Sequence, residues 1–217
     1  MLFRLSAIEE SLLQFRDSFD SINDSLSIRR ESFTEVMVDQ ILQAYDYLNG
    51  LLRKRMDLFT PAGLHSLLEL NHIVLCGNSP EERQAYYQHI VETRKSFQEK
   101  IMPIKTWVLA NREGDKAYKL ATGFYTRMLS RPQLFLEGNH RTGNIILNYL
   151  LVSKNRPPYI VSPETAGRYL DLSGDIKFTS KENALETAFM MPGHARNFQD
   201  FLKDNGREVW LCGMEET

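Results

Sequence analysis

The chain has 217 residues, the size of one domain or of one domain with an extension, and 42% of them are apolar, enough for a sizeable core. Its formal net charge of -2 exerts no general pull on nucleic acid or on an anionic membrane, so any anion site has to be local. The two cysteines, Cys76 and Cys212, are far apart and form no ligand pair, which points to a reducing compartment, a cytoplasm, and to no structural zinc.

At the N-terminus, Glu9 and Glu10 stand where a signal peptide would keep an apolar run. The longest apolar stretches, such as IILNYLLV, fall far short of the roughly 20 residues that cross a bilayer. No Sec-type signal and no membrane span are expected. Export by a dedicated machine, into a host cell for example, would leave no such mark.

Helical periodicity dominates the rest. Phe33, Met37, Ile41, Tyr45, Leu48 and Leu52 fall on one face of a long helix. Thr60-Pro61 reads as an N-cap followed by a first-turn proline, and Leu64, Leu67, Leu68 and Leu75 continue that helix. Ser79-Pro80-Glu81-Glu82 is a second start signal, with Glu82 placed for a capping box. Its helix carries Tyr87, Ile90, Phe97 and Ile101 and is expected to end near Pro103. Pro103 to Asp115 gives no clear pattern, and another helix covers Lys116 to Leu129. A loop follows, then a strongly apolar helix to about Ser153, broken by NRPPY. Ser162-Pro163 and Ser180 start two more helices, the second interrupted by Pro192-Gly193. The expected architecture is all-α: residues 1–55 a helical extension packed on the core, 56–204 the core, and 205–217 a loosely held tail.

The loop before the apolar helix reads EGNHRTGN. Gly138 can open the backbone to a ligand, and Asn139 can cap the helix. The first N–H groups of that helix have no internal partner and are free to bind an anion. Arg141 adds a charged fork that suits phosphate oxygens, and Gly143 keeps the first turn slim. The residues alone fit equally a capped buried helix that carries a surface arginine.

The order of the residues resembles the Fic family, whose signature reads H-x-F-x-[DE]-G-N-G-R-x-x-R. Phe135, Glu137, Gly138, Asn139 and Arg141 match it. The family is an all-α fold whose members typically transfer AMP from ATP to a protein hydroxyl, and a related branch transfers phosphate. The resemblance implies a core anchor at Phe135, a metal-holding carboxylate at Glu137, and a phosphate cradle at Gly138, Asn139 and Arg141. Three positions depart from the signature: Gln133 replaces the catalytic histidine, His140 the second glycine and Asn144 the second arginine. The likeness spans roughly residues 27 to 202. FTPAGLHSLLELNHIVL resembles the helix before the family's substrate-binding flap, although no β-hairpin is evident between Leu75 and Lys116. SIRRESFTEVMVDQILQAYDYL resembles the N-terminal helix on which some members carry an inhibitory [ST]-x-x-x-E-[GN]. Ser27 and Glu31 have that spacing, with Ser32 in place of Gly or Asn.

A positioned general base contributes about 10²–10⁴-fold in rate, roughly 3–5.5 kcal/mol of barrier. Glutamine cannot supply it, though it can orient a substrate by hydrogen bonding. His140 has three open readings: a relocated base, an anion contact, or a packed histidine. His65 and His72, seven apart, read as structural; His89 and His194 carry no context. The aromatic stretches AYYQHI and GFYTRM read as core stripes. The leading expectation is a degenerate nucleotide site, with ATP or another nucleotide and Mg²⁺ as ligands, in a protein that binds more than it transfers. The alternatives are a protein adenylyltransferase-like enzyme with rearranged residues, and a helical protein-interaction module. A protein partner or target is expected; nucleic acid and membrane are not, and the sequence leaves the oligomeric state open.

Overall fold

Four helix starts carry the chemistry that a helix start requires. Thr34, Thr60 and Ser79 accept backbone N–H groups three residues on, from Met37, Gly63 and Glu82. Pro61, Pro80 and Pro163 occupy first-turn positions, where the missing N–H costs nothing. The computed structural model describes residues 1–114 and 116–213. It is all-α apart from a pair of two-residue strands. In chain order it has β1 (Leu2–Phe3), α1 (Leu5–Ser25), α2 (Glu35–Arg53), α3 (Pro61–Cys76), α4 (Pro80–Ala85), α5 (Tyr87–Asn111), α6 (Ala117–Leu129), α7 (Asn139–Val152) and α8 (Pro163–Phe178). A turn of π-helix (Glu186–Met190), α9 (Met191–Asn205), a 3₁₀ turn (Glu208–Trp210) and β2 (Leu211–Cys212) follow.

The apolar helix α7 is central. It buries nearly every residue from Thr142 to Val152 and packs against α6, α2 and α3. Gly143 permits the close approach of α6: a Cβ there would stand 2.9 Å from Met128 Sδ and 3.0 Å from Tyr125 Cε2. Residues 1–55 contribute Phe3, Ile8, Leu12, Tyr45 and Leu48 to the same core. Asn148, fully buried on α7, donates to the Tyr45 hydroxyl and the Tyr159 carbonyl and accepts from the Tyr159 N–H, so NRPPY is clasped to the core rather than merely ending a helix. Among the described residues, no helix is long and apolar enough to cross a membrane.

Several expectations are corrected. Helix α5 does not stop at Pro103 but runs through it to Asn111. Pro103 lies on the exposed face, where water can satisfy the Glu99 carbonyl it frees, while Ile101, Ile104 and Val108 stay buried. The second helix starts at Glu35, so residues 26–34 are an irregular connection, and Ser27 and Glu31 do not lie on a helix. The helix expected from Ser180 begins later, where Asn183 Oδ1 accepts the Leu185 and Glu186 N–H groups. Pro192 and Gly193 fall in the first turn of α9, which proline tolerates, and do not interrupt it. The segment after Asn205 is held, not loose: Leu2 pairs with Cys212 and Phe3 with Leu211. The last residues of the expected tail, 214–217, lie outside the described residues. Between Cys76 and Lys116 there is no hairpin among the described residues; α4 and α5 fill that stretch.

Asn49 locks the N-terminal strand from below. Its Oδ1 accepts the Phe3 N–H at 2.7 Å and its Nδ2 donates to the Phe3 carbonyl at 2.9 Å, with all groups buried. Asn49→Ala strands both backbone groups and is expected to cost about 1–3 kcal/mol, read as a lower urea midpoint at unchanged slope. An unchanged midpoint would show that water or a shifted strand replaces the clasp.

Candidate anion site at the start of α7

The loop 133–138 is held by polar contacts to its own backbone. Asn139 Oδ1 accepts the Phe135 N–H at 2.9 Å and Asn139 Nδ2 donates to the Phe135 carbonyl at 2.8 Å. Asn71 Nδ2, from α3, donates to the Glu137 carbonyl and to Thr142 Oγ1, both at 3.0 Å. Phe135 is buried and stacks on Phe97 with centroids 5.5 Å apart, which anchors the loop in the core. Gly138 takes the left-handed conformation, φ 68°, and immediately precedes the helix. A Cβ there would be strained by that backbone and would press on Asn71 Nδ2 and Leu75 Cδ2, each at 3.2 Å. The sequence leads one to expect Asn139 as a helix cap. It buckles the loop instead, because its amide is spent on Phe135.

The start of α7 opens on a cavity of about 540 Å³. Gln133, Glu137, Gly138, Asn139, His140, Arg141 and Asn144 all line it, so the structure gathers every one of these motif positions around one space. Glu31 lines it too, whereas Ser27 faces a smaller cavity of about 310 Å³ beside Asp175 and His194. The Ser27–Glu31 pair is thus divided between two spaces. One wall of the larger cavity is apolar, with Phe15 and Phe19 from α1 and Phe33 from the connection. At the mouth, the N–H groups of Asn139, His140 and Arg141 are those that a helix start leaves without an internal partner.

The charges around the cavity differ in kind. Arg141 donates through Nη1 to the Val74 carbonyl at 2.9 Å. Burial pulls its pKa below the usual guanidinium range, and Glu31 and Glu137 offset only part of that. His140 has both ring nitrogens sealed from solvent and without a partner. Burial, then the charges of Arg30 and Lys177, push its imidazole down to about 3. Such a group is neutral at pH 7 but holds a proton too weakly to be an efficient base. Gln133 donates through Nε2 to the Leu129 carbonyl at 3.1 Å. Glu137 is exposed, and Mg²⁺ is commonly held by one or two carboxylates with substrate phosphates. A single exposed carboxylate at the cavity is what a metal would meet here if a phosphate chain brought it. Among the described residues, no three His, Cys, Asp or Glu side chains gather into a metal site of their own.

Sequence reasoning missed two residues. Arg30 and Lys177 also line the cavity, from the 26–34 connection and from α8. Neither carries a local signal: Arg30 is one of two adjacent arginines, and Lys177 sits in the last turn of a helix. Only the packing of α1 against α8 brings them to α7. Elsewhere, His72 is buried with Nδ1 3.6 Å from Glu69 Oε2, and Glu69 also pairs with Arg83 at 2.7 Å. His65 is exposed and His89 has a buried, unpartnered Nε2. Both cysteines are free and buried.

The pH response of the fold reports on His140. Unfolded, it takes up a proton near its ordinary value of 6.5; folded, it resists until about 3. The unfolded chain therefore binds more protons in that window, and stability falls as pH drops from about 6.5 toward 3. His140→Gln is expected to flatten that part of the curve of urea midpoint against pH. A slope identical to the unaltered protein would place the response on other groups. No family model, curated protein or solved structure matches the chain, so the likeness of its loop to the Fic signature rests on the residues named above.

Proposed function

We propose that the chain is a Fic-fold protein with a degenerate site, one that binds a nucleotide or another phosphorylated ligand at the start of α7 and transfers little or nothing from it. What supports this is a left-handed Gly138 directly before the start of α7, whose first residues, Asn139, His140 and Arg141, line a cavity of about 540 Å³. A phosphoryl group there meets backbone donors, a helix dipole and a guanidinium. Glu137 supplies a carboxylate for a Mg²⁺ ion that the ligand brings with it.

The chemistry is what the site lacks. At residue 133 an amide donates to Leu129, and at residue 140 a buried imidazole holds protons too weakly to accept one efficiently near neutral pH. Losing a base removes transition-state stabilisation without removing ground-state binding. The stretch where a β-hairpin would present a target hydroxyl is helical, so the alignment of a protein substrate is absent or rebuilt. A protein partner remains part of the proposal, and it would dock against a helical stretch there rather than a hairpin.

Calorimetric titration with ATP and Mg²⁺ is expected to give saturable heat, and Arg141→Ala to weaken it roughly ten- to a hundredfold, the worth of one charge-assisted hydrogen bond. No heat at all would favour a helical interaction module. Incubation of labelled ATP with lysate is expected to leave no covalent label; label that Arg141→Ala abolishes would identify a working transferase instead. Gln133→His is expected to raise self-modification or transfer by about 10²–10⁴-fold over background. If that variant stays silent while still binding nucleotide, Asn144 and the missing hairpin are limiting as well.

A further inference from the structure

The same cavity has a second group of donors that the helix start does not use. Arg30 reaches it from the connection between α1 and α2, and its direction is held at several points. Asn23 Oδ1 accepts the Arg30 N–H at 2.7 Å, and Asn23 Nδ2 donates to the Arg30 carbonyl at 3.0 Å. The guanidinium lies along α8, where Nη2 donates to the Leu170 carbonyl at 2.9 Å. It fits because residue 174 is glycine: a Cβ there would stand 2.7 Å from Arg30 Nη2.

Around Arg30 the polar pairing is incomplete. Arg30 Nε, Asn144 Nδ2 and both ring nitrogens of His140 are buried with no hydrogen-bond partner. Buried donors left this way are uncommon, and each calls for a ligand, an ion or water. Lys177 stands close enough for the charge of Arg30 to oppose its own, while Glu31 counters. Glu31 also acts on Arg141, so one carboxylate is shared between cations on two sides of the cavity. Three cationic side chains (Arg30, Arg141 and Lys177) line the space against two carboxylates, Glu31 and Glu137, in a chain whose net charge is -2; a fourth, Arg29, is exposed and paired with Asp24 at 2.8 Å. The excess of positive charge is small but local, and it favours an anion.

We propose that Arg30 and Lys177, with Asn144 and His140 beside them, form a second anion subsite, so that the preferred ligand carries two linked anionic groups, as in a chain of phosphates. One group sits at the start of α7 and the other at this inner wall. The inference rests on the reading of the α7 start as a phosphoryl site and adds the residues that select a polyanion over a single anion. Gly174 and Asn23 are positioning residues, acting only through Arg30.

Inorganic tripolyphosphate and orthophosphate, each titrated calorimetrically into the full chain, test it. The unaltered protein is expected to bind tripolyphosphate at least about tenfold more tightly than orthophosphate, the worth of one added charge-assisted contact. Arg30→Ala and Lys177→Gln each erase most of that preference and spare orthophosphate binding. Arg141→Ala weakens both probes. Gly174→Ala, which crowds the guanidinium without removing it, gives the same loss as Arg30→Ala, and thermal melts confirm that each variant folds. If Arg30→Ala and Lys177→Gln keep the tripolyphosphate affinity while Arg141→Ala loses it, the subsite is refuted and the α7 reading stands. If the Arg30 and Lys177 variants lose it and Arg141→Ala does not, the subsite stands and the α7 reading falls. Binding of neither probe overturns both.

Discussion

The site depends on a closure of four residues. Asn139 turns its amide back on Phe135, taking both the N–H and the C=O of that residue, while Phe135 itself is sunk in the core against Phe97. Asn71 then holds the Glu137 carbonyl from α3. With the chain pinned before and after it, Gly138 takes the left-handed conformation from which α7 begins. Each buried hydrogen bond of this kind contributes about 0.5–1.5 kcal/mol, but breaking one leaves a buried group unsatisfied at about 1–3 kcal/mol. The closure is therefore stiff out of proportion to its size.

A stiff helix start beside cations and without a base separates two properties that usually travel together. Grip on a phosphoryl group needs fixed donors and charge, which the mouth of α7 and Arg141 offer. Transfer needs a group that takes a proton in the transition state. His140 is the natural candidate by residue type, yet its surroundings work against it. Burial and the neighbouring Arg30 and Lys177 disfavour the protonated form that a base must pass through. The cations that would help an anion bind thus also silence the one imidazole near it.

Where apolar spacing and capping residues agree, the sequence alone makes the elements legible. Helices α3, α6, α7 and α8 start and stop close to where Thr60-Pro61, Lys116, the EGNHRTGN loop and Ser162-Pro163 place them. What is not legible depends on distant packing. Pro103 looks like a stop because proline breaks isolated helices, but a buried face on either side carries α5 through it. The pairing of Leu2–Phe3 with Leu211–Cys212 joins residues at opposite ends of the chain and has no local mark. The motif residues stand out because they are nearly contiguous. Arg30 and Lys177 do not, because only the meeting of α1 with α8 gives them a common purpose. Asn139 is conspicuous in the sequence, yet its role there reads as a cap. A cap and a buckle need the same side chain, and only the direction of its amide tells them apart.

If the backbone at the start of α7 grips anionic oxygens, backbone amide resonances report it directly. In a ¹H–¹⁵N titration with inorganic tripolyphosphate, the amides of Asn139, His140 and Arg141 are expected to shift together and to saturate, with Gly138 following. Shifts confined to surface lysines, or growing without saturation while those amides stay in place, would mean that the start of α7 does not hold the anion.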